Sequence, residues 1–223
     1  MAKPYENPVK KMIPSKLETG FQQFLYKHVG KHIPKNVTPN QVTAVSALGG
    51  LFAVIMTLLT NISPLFFIGT IAGLVLHLVA DDLDGYVART RQMSSKAGAY
   101  FDLITDVLFS TFLLLAFGLT PYVHLAPAAF AAPLYGVMNV TMMNYIIYFN
   151  EFQFPRLGPI EAHIGYTICA LLAMIFRDTA VFSMLGTDIF ACDILMVLAM
   201  LPMYYEMIRM AIALFKRLKE SEQ

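Results

Sequence analysis

Charge is what this sequence has least of. Only 14% of its 223 residues are Asp, Glu, Lys or Arg, while 57% are hydrophobic; ordinary soluble domains carry about 25% charged residues. One aqueous core cannot hide that much apolar surface in a chain of this size, so lipid is the solvent for much of it and a water-soluble monomer is excluded. A basic excess is also missing. The 16 Lys+Arg meet 15 Asp+Glu, which argues against a nucleic-acid partner. The two cysteines, Cys169 and Cys192, lie in apolar stretches with no CxxC or Cys/His spacing, and suggest neither a zinc site nor a disulfide framework. No apolar run precedes about Phe21 and there is no small-residue cleavage pattern, so the start of the chain does not read as a signal peptide and the chain is taken as mature. Internal repeats and low-complexity tracts are lacking, which weakens a reading as an inverted-repeat transporter.

What is present in quantity is long apolar runs. Six stretches reach the roughly 20 residues that a membrane span needs: about 39–60, 63–88, 96–119, 125–149, 159–176 and 189–215. Thr38-Pro39 supplies an N-cap and a first-turn proline for the first span, and Asn61-Ile62-Ser63-Pro64 makes a tight turn before the second. The expected fold is an all-α integral membrane protein: six transmembrane helices preceded by an amphipathic interfacial helix. That preceding helix is expected over about 16–33, with Phe21, Phe24, Leu25, Val29 and Ile33 on one face and Gln23, Lys27 and Lys31 on another. The division is an N-terminal cytoplasmic segment (1–37), a membrane domain (38–217) and a short tail (218–223). Fifteen of the sixteen basic residues fall before the first span, in or beside the second and fourth loops, or in the last turns of the sixth span and beyond it, leaving Arg177 alone opposite. Both termini are therefore expected to be cytoplasmic, in a bacterial or archaeal inner membrane or the endoplasmic reticulum.

Ionisable residues inside spans mark function by default, and here they are concentrated. The segment DDLDGYVARTRQMSSKAGAYFDLITD runs from Asp81 to Asp106. At helical spacing Asp81, Asp84, Gly85 and Ala88 share one face of the second span, and Gly98, Asp102 and Asp106 form an i, i+4, i+8 row on the third. Four carboxylates converging in a poorly polar setting repel strongly unless something positive sits among them. Oxygen-only ligands favour a hard ion such as Mg²⁺, Mn²⁺ or Ca²⁺ over zinc, and two such ions suit phosphoryl chemistry because they clamp attacking and leaving oxygens. Gly85, Ala88 and Gly98 leave room, and Arg89 can meet a phosphate.

The spacing Asp81-x2-Asp84-Gly85-x2-Ala88-Arg89-x8-Gly98-x3-Asp102-x3-Asp106 resembles the signature of the CDP-alcohol phosphotransferase family, with all eight positions filled. The resemblance implies that Asp81, Asp84 and Asp102 bind metal, Mg²⁺ or Mn²⁺ as two ions, and that Asp106 joins them or acts as general base. It implies that Gly85, Ala88, Arg89 and Gly98 line the cytidine diphosphate site, approached by Asn40 and Thr43 in the run Thr38-Pro39-Asn40-Gln41-Val42-Thr43. It further implies a homodimer in membrane lipid, and transfer of a substituted phosphate from a CDP-linked donor to an alcohol with release of CMP. CDP-diacylglycerol is the favoured donor; the alternative is CDP-choline or CDP-ethanolamine with diacylglycerol. A divalent-cation transporter is the distant alternative, disfavoured because no acidic path crosses the other half of the membrane; a catalytically dead scaffold is disfavoured by the intact motif.

Other polar residues have plainer readings. Small-residue packing would also explain Gly85, Ala88 and Gly98. Asp82 is expected to pair with Arg89, and His77 to stand behind the carboxylates or in the core. Tyr145, Tyr148, Tyr204 and Tyr205 are expected as interfacial anchors, and the 14 methionines as gap-fillers. Glu161 and His163, in the run from Phe154 to His163, faintly resemble choline and ethanolamine phosphotransferases near the acceptor. A cap after Gly158-Pro159 explains Glu161 almost as well. Glu206 has no evident partner.

Overall fold

The computed structural model describes residues 10–12, 16–153 and 155–222. Residues 1–9 with Lys3, residues 13–15, Phe154 and Gln223 lie outside them. Seven helices dominate: α1 (Lys16–His28), α2 (Pro39–Leu59), α3 (Phe67–Thr90), α4 (Lys96–Gly118), α5 (Leu125–Phe149), α6 (Pro159–Phe176) and α7 (Ala191–Ser221). Six of them, with a short Pro64–Phe66 turn joined to α3, are long and apolar enough to span a membrane, so the all-α membrane architecture expected from the sequence is the one found.

Local chemistry explains where the helices begin. Thr38 and Gln41 exchange hydrogen bonds, Thr38 N–H donating to Gln41 Oε1 at 2.8 Å, and Pro39 takes the first helical position. Ser95 Oγ accepts from Gly98 N–H at the start of α4. Asp193 serves two helices at once, accepting from Phe190 N–H at 3.0 Å before α7 and from His124 N–H at 2.8 Å before α5. α2 and α3 lie backbone to backbone. A Cβ added to Gly73 would stand 2.7 Å from Ala53 N and 2.8 Å from Gly49 O, so only glycine permits this approach.

Two apolar clusters result. The larger gathers Phe67, Leu113, Phe117, Ala128, Ala132 and Ala173 from α3 to α6, with Tyr122. Phe67 stacks on Phe117 at 5.9 Å and tilts against Tyr122 at 5.6 Å. The smaller seats α1 on the bundle through Leu25, Val42, Ala80, Leu83 and Val87.

The expected helix over 16–33 divides. α1 stops at His28, and Gly30–His32 forms a separate tight turn. Gly30 touches the Tyr86 ring so closely that a Cβ there would come within 2.5 Å of it. Leu25 is buried and Phe21 and Ile33 pack beside it, whereas Phe24 and Val29 are exposed. The proposed single apolar face is thus shared between the bundle and the surroundings. Arg91 ties the following segment down, donating to Ile33 O at 3.0 Å and also to Val37 O.

Short strands add detail that no sequence periodicity announced. Lys10–Met12 (β1) pairs in parallel with Glu151–Gln153 (β2), and Phe182–Met184 (β3) pairs antiparallel with Thr187–Ile189 (β4) across a turn with Leu185 and Gly186 at positive φ. Tyr145 corrects its expected role as an anchor. It is buried between α5 and α7, its hydroxyl 3.4 Å from Met210 O. Tyr148 and Tyr205 are exposed, while the Tyr204 hydroxyl donates to Phe130 O at 2.6 Å. Glu206 does have partners, accepting from Arg209 and from Arg156 N–H at 3.3 Å. Cys169 and Cys192 are both buried, Cys192 Sγ lying 3.4 Å from Cys169 O.

Candidate active site

At the end of the bundle where α3 finishes and α4 begins, a cavity of about 290 Å³ opens. The short turn between these helices brings two rows of carboxylates face to face. Asp81, Asp102 and Asp106 each offer one oxygen within 4.8 Å of the others. Three carboxylates so close repel one another unless a proton or cation lies among them. Because every donor is a carboxylate oxygen, the set fits a hard divalent ion, which takes oxygen ligands.

Asp84 lines the same cavity but is differently engaged. It is buried, and Thr43 Oγ1 donates to its Oδ2 at 2.5 Å. Thr43, expected to approach a nucleotide, also lines the cavity, and its hydroxyl, donating to Asp84, ties α2 to α3. Gly85, Ala88, Arg89 and Gly98 all line the cavity, as does Asn40. Gly85 makes room for the Arg89 side chain, since a Cβ there would lie 2.9 Å from Nη1. Gly98 likewise admits Asn40, whose Oδ1 is 3.0 Å from where a Cβ would stand.

The expected Asp82–Arg89 pair is absent among the described residues. Asp82 turns toward α1, where Gln22 Nε2 donates to its Oδ1 at 2.9 Å and to Glu18 Oε1 at 2.8 Å. Arg89 donates instead to the Tyr26 hydroxyl at 2.7 Å, and Tyr26 stacks on Tyr86 at 4.9 Å. Both differences have one cause: docking of α1 supplies partners sixty or so residues away in sequence. Glu18 is buried, and its Oε2 accepts from Ile160 N–H at 3.2 Å. Burial pushes the Glu18 carboxyl above the ordinary range, against the opposing effect of the Ile160 and Gln22 donors. Burial likewise raises the Tyr26 phenol.

α5 and α6 provide the far wall. Tyr135, Met138, Asn139 and Met142 line it from α5, and the Tyr135 hydroxyl donates to Asp106 Oδ2 at 3.4 Å. Tyr135 and Asn139 are functional-site candidates that sequence reasoning passed over, although two polar residues four apart inside an apolar span were a usable signal. Gln22 and Tyr26 carried no such signal. Glu161 closes the first turn of α6, accepting from Gly158 N–H at 2.9 Å, while His163 lies deeper with His77, and His77 Nε2 stands 3.6 Å from Asp106 Oδ1.

This arrangement can bind a divalent cation among carboxylates beside a guanidinium, with small residues keeping space open. The chain is 31% identical over 117 residues, 51% of its length, to the Bifunctional IPC transferase and DIPP synthase of Aquifex aeolicus (strain VF5), and the matched part spans 25% of that relative. The family profile described as CDP-alcohol phosphatidyltransferase matches residues 36–215, which hold every residue lining the cavity except those of α1. With the carboxylates, glycines and arginine of the motif gathered in one cleft, the chain belongs to the CDP-alcohol phosphatidyltransferase family.

Proposed function

We propose that the protein transfers a substituted phosphate from a CDP-linked donor, CDP-diacylglycerol in the first instance, to the hydroxyl of a polar alcohol. The observation that carries this reading is the convergence of Asp81, Asp102 and Asp106 in a cavity shared with Gly85, Ala88, Arg89 and Gly98. The acceptor oxygen forms a bond to the phosphorus that bears the substituent, and the bond from that phosphorus to the CMP oxygen breaks. Asp106 takes the hydroxyl proton, the part of a general base. Arg89, beside Gly85, holds the pyrophosphate by charge and hydrogen bonding, and Asn40 meets the nucleotide end. Asp81, Asp84 and Asp102 would hold the divalent ions, Mg²⁺ or Mn²⁺; when bound, these would neutralise the pyrophosphate and stabilise CMP as leaving group. Two features support this reading: Thr43 fixes Asp84 in place, and Tyr135 donates to Asp106, which also stands within reach of an ion that Asp81 and Asp102 would hold.

The distribution of basic residues supports cytoplasmic termini and a cytoplasmic cavity mouth, and the family supports a homodimer. In the test, purified protein with Mg²⁺ is given CDP-diacylglycerol, CDP-choline or CDP-ethanolamine, each with a panel of alcohols, and CMP release is followed. Release from CDP-diacylglycerol with a polar alcohol is expected. Release only from CDP-choline or CDP-ethanolamine with diacylglycerol overturns the donor assignment, and no release from any CDP compound overturns the reading as a whole.

A further inference from the structure

Deeper than the carboxylates, two histidines from different helices meet. His77 of α3 and His163 of α6 are both buried. The His77 ring stacks on Phe109 with centroids 3.8 Å apart. α2 leaves a slot for this stack, since a Cβ on Gly50 would lie 2.7 Å from both rings.

The order of hydrogen bonds dictates which nitrogens carry protons. The Pro159 carbonyl can only accept, so His163 Nδ1, 2.8 Å away, is the N–H. A neutral ring then has only a lone pair at Nε2; a second proton would bury a charge. His77 Nδ1 lies 3.3 Å from that lone pair and must be the donor. His77 Nε2 is left with a lone pair of its own. It is buried, has no hydrogen-bond partner among the described residues, and faces Asp106 Oδ1 at 3.6 Å. Two lone pairs facing each other account for a separation beyond hydrogen-bond reach.

We infer that His163 is a positioning residue: its acceptor nitrogen holds His77 in the Nδ1–H form, so that no N–H of His77 competes with the acceptor hydroxyl for Asp106 Oδ1. The inference rests on the proposed role of Asp106 in the transfer. In the other tautomer, His77 would donate to Asp106 Oδ1 and compete with the acceptor for it. Which nitrogen of a histidine is protonated follows from what the other nitrogen bonds. Here the deciding group is a carbonyl in the first turn of α6, which Glu161 and Glu18 help to fix by accepting from Gly158 N–H and Ile160 N–H.

The test uses the full chain, labelled with ¹⁵N-histidine in lipid nanodiscs, together with CMP release from CDP-diacylglycerol, Mg²⁺ and the most active alcohol of the panel above. His77 is expected to be protonated at Nδ1 in the wild type and in His163→Gln, whose amide oxygen preserves an acceptor. In His163→Leu the proton is expected at Nε2, with kcat down about tenfold at unchanged donor KM. His163→Gln should recover most of that loss. The double variant His77→Phe/His163→Leu should turn over faster than His163→Leu alone, because no N–H is left to face Asp106. Protonation of His77 at Nε2 in the wild type overturns the inference, and so does a double variant no better than His163→Leu, which would mark a merely structural role. A wild-type protein with protonated Nδ1 that releases no CMP overturns the functional reading and with it the role assigned to His163, while leaving the hydrogen-bond order standing.

Discussion

The two ends of the helical bundle are built on opposite terms. Around Phe67, Leu113, Phe117 and Ala128 the packing is apolar and tight, with aromatic rings stacked and small alanines letting helices close on one another. Around Asp81, Asp102 and Asp106 there is a cavity, mutual repulsion and a buried histidine with an unused nitrogen. One end therefore supplies cohesion and the other holds the costly groups, an arrangement expected where binding chemistry works against local stability. Substitutions at the two ends should separate function from stability in opposite directions.

The largest effect belongs to the carboxylates. Asp81→Asn or Asp102→Asn should lower CMP release by about 10³-fold or more, through loss of charge stabilisation in the site. The same variants should melt no earlier than wild type, because a repulsive contact has been relieved. EDTA should abolish activity likewise. A fall in thermal stability with activity retained would break the contrast between the ends. Next in size, Phe117→Ala at the cohesive end should cost about 3–5 kcal/mol by large-to-small truncation, read from denaturant or thermal unfolding in detergent. Turnover per folded molecule should stay within about twofold, since Phe117 is buried away from the cavity and does not line it.

The smallest effect sharpens the boundary between α1 and the bundle. Glu18 faces Gln22 and Asp82 on one side and Ile160 N–H and Glu161 on the other. Burial raises its carboxyl above the ordinary 4.5, so the docked helix binds this proton more tightly than a detached one. Docking is consequently strongest below the ordinary value and weakens as pH rises from there through the docked value. Spin-label distances between α1 and α6, measured from about pH 4 to 7, should lengthen slightly in wild type and remain constant in Glu18→Gln. An unchanged distance in both would show that the proton is not linked to docking.

How legible all this was in the sequence depends on range. The spans were plain because each is a run of about twenty apolar residues bounded by a cap, as at Thr38-Pro39. The motif residues were plain because helical spacing alone places Asp81 and Asp84 on one face and Asp102 and Asp106 on another. What stayed hidden needed contacts between distant segments. Asp82 looked like a partner for Arg89 seven residues on; only the docking of α1 shows Gln22 as its donor and Tyr26 as the recipient of Arg89. Tyr145 looked like an interfacial anchor because it lies near a span end, and α7 buries it. The strand pieces, three residues each, are too short for any alternation to register.

The close approach of α2 and α3 also bears on how the site moves. Where Gly73 meets Ala53 and Gly49, the two backbones touch directly, with no side chain at that level whose rotamer could let them part. The Thr43–Asp84 bond lies toward one end of this pair, so that wall of the cavity is tied both backbone to backbone and side chain to side chain. Accommodation of substrates of different shape falls to the opposite wall. There Met138 and Met142 of α5 and Met203 of α7 line the cavity, and unbranched thioether side chains can rearrange without any backbone displacement.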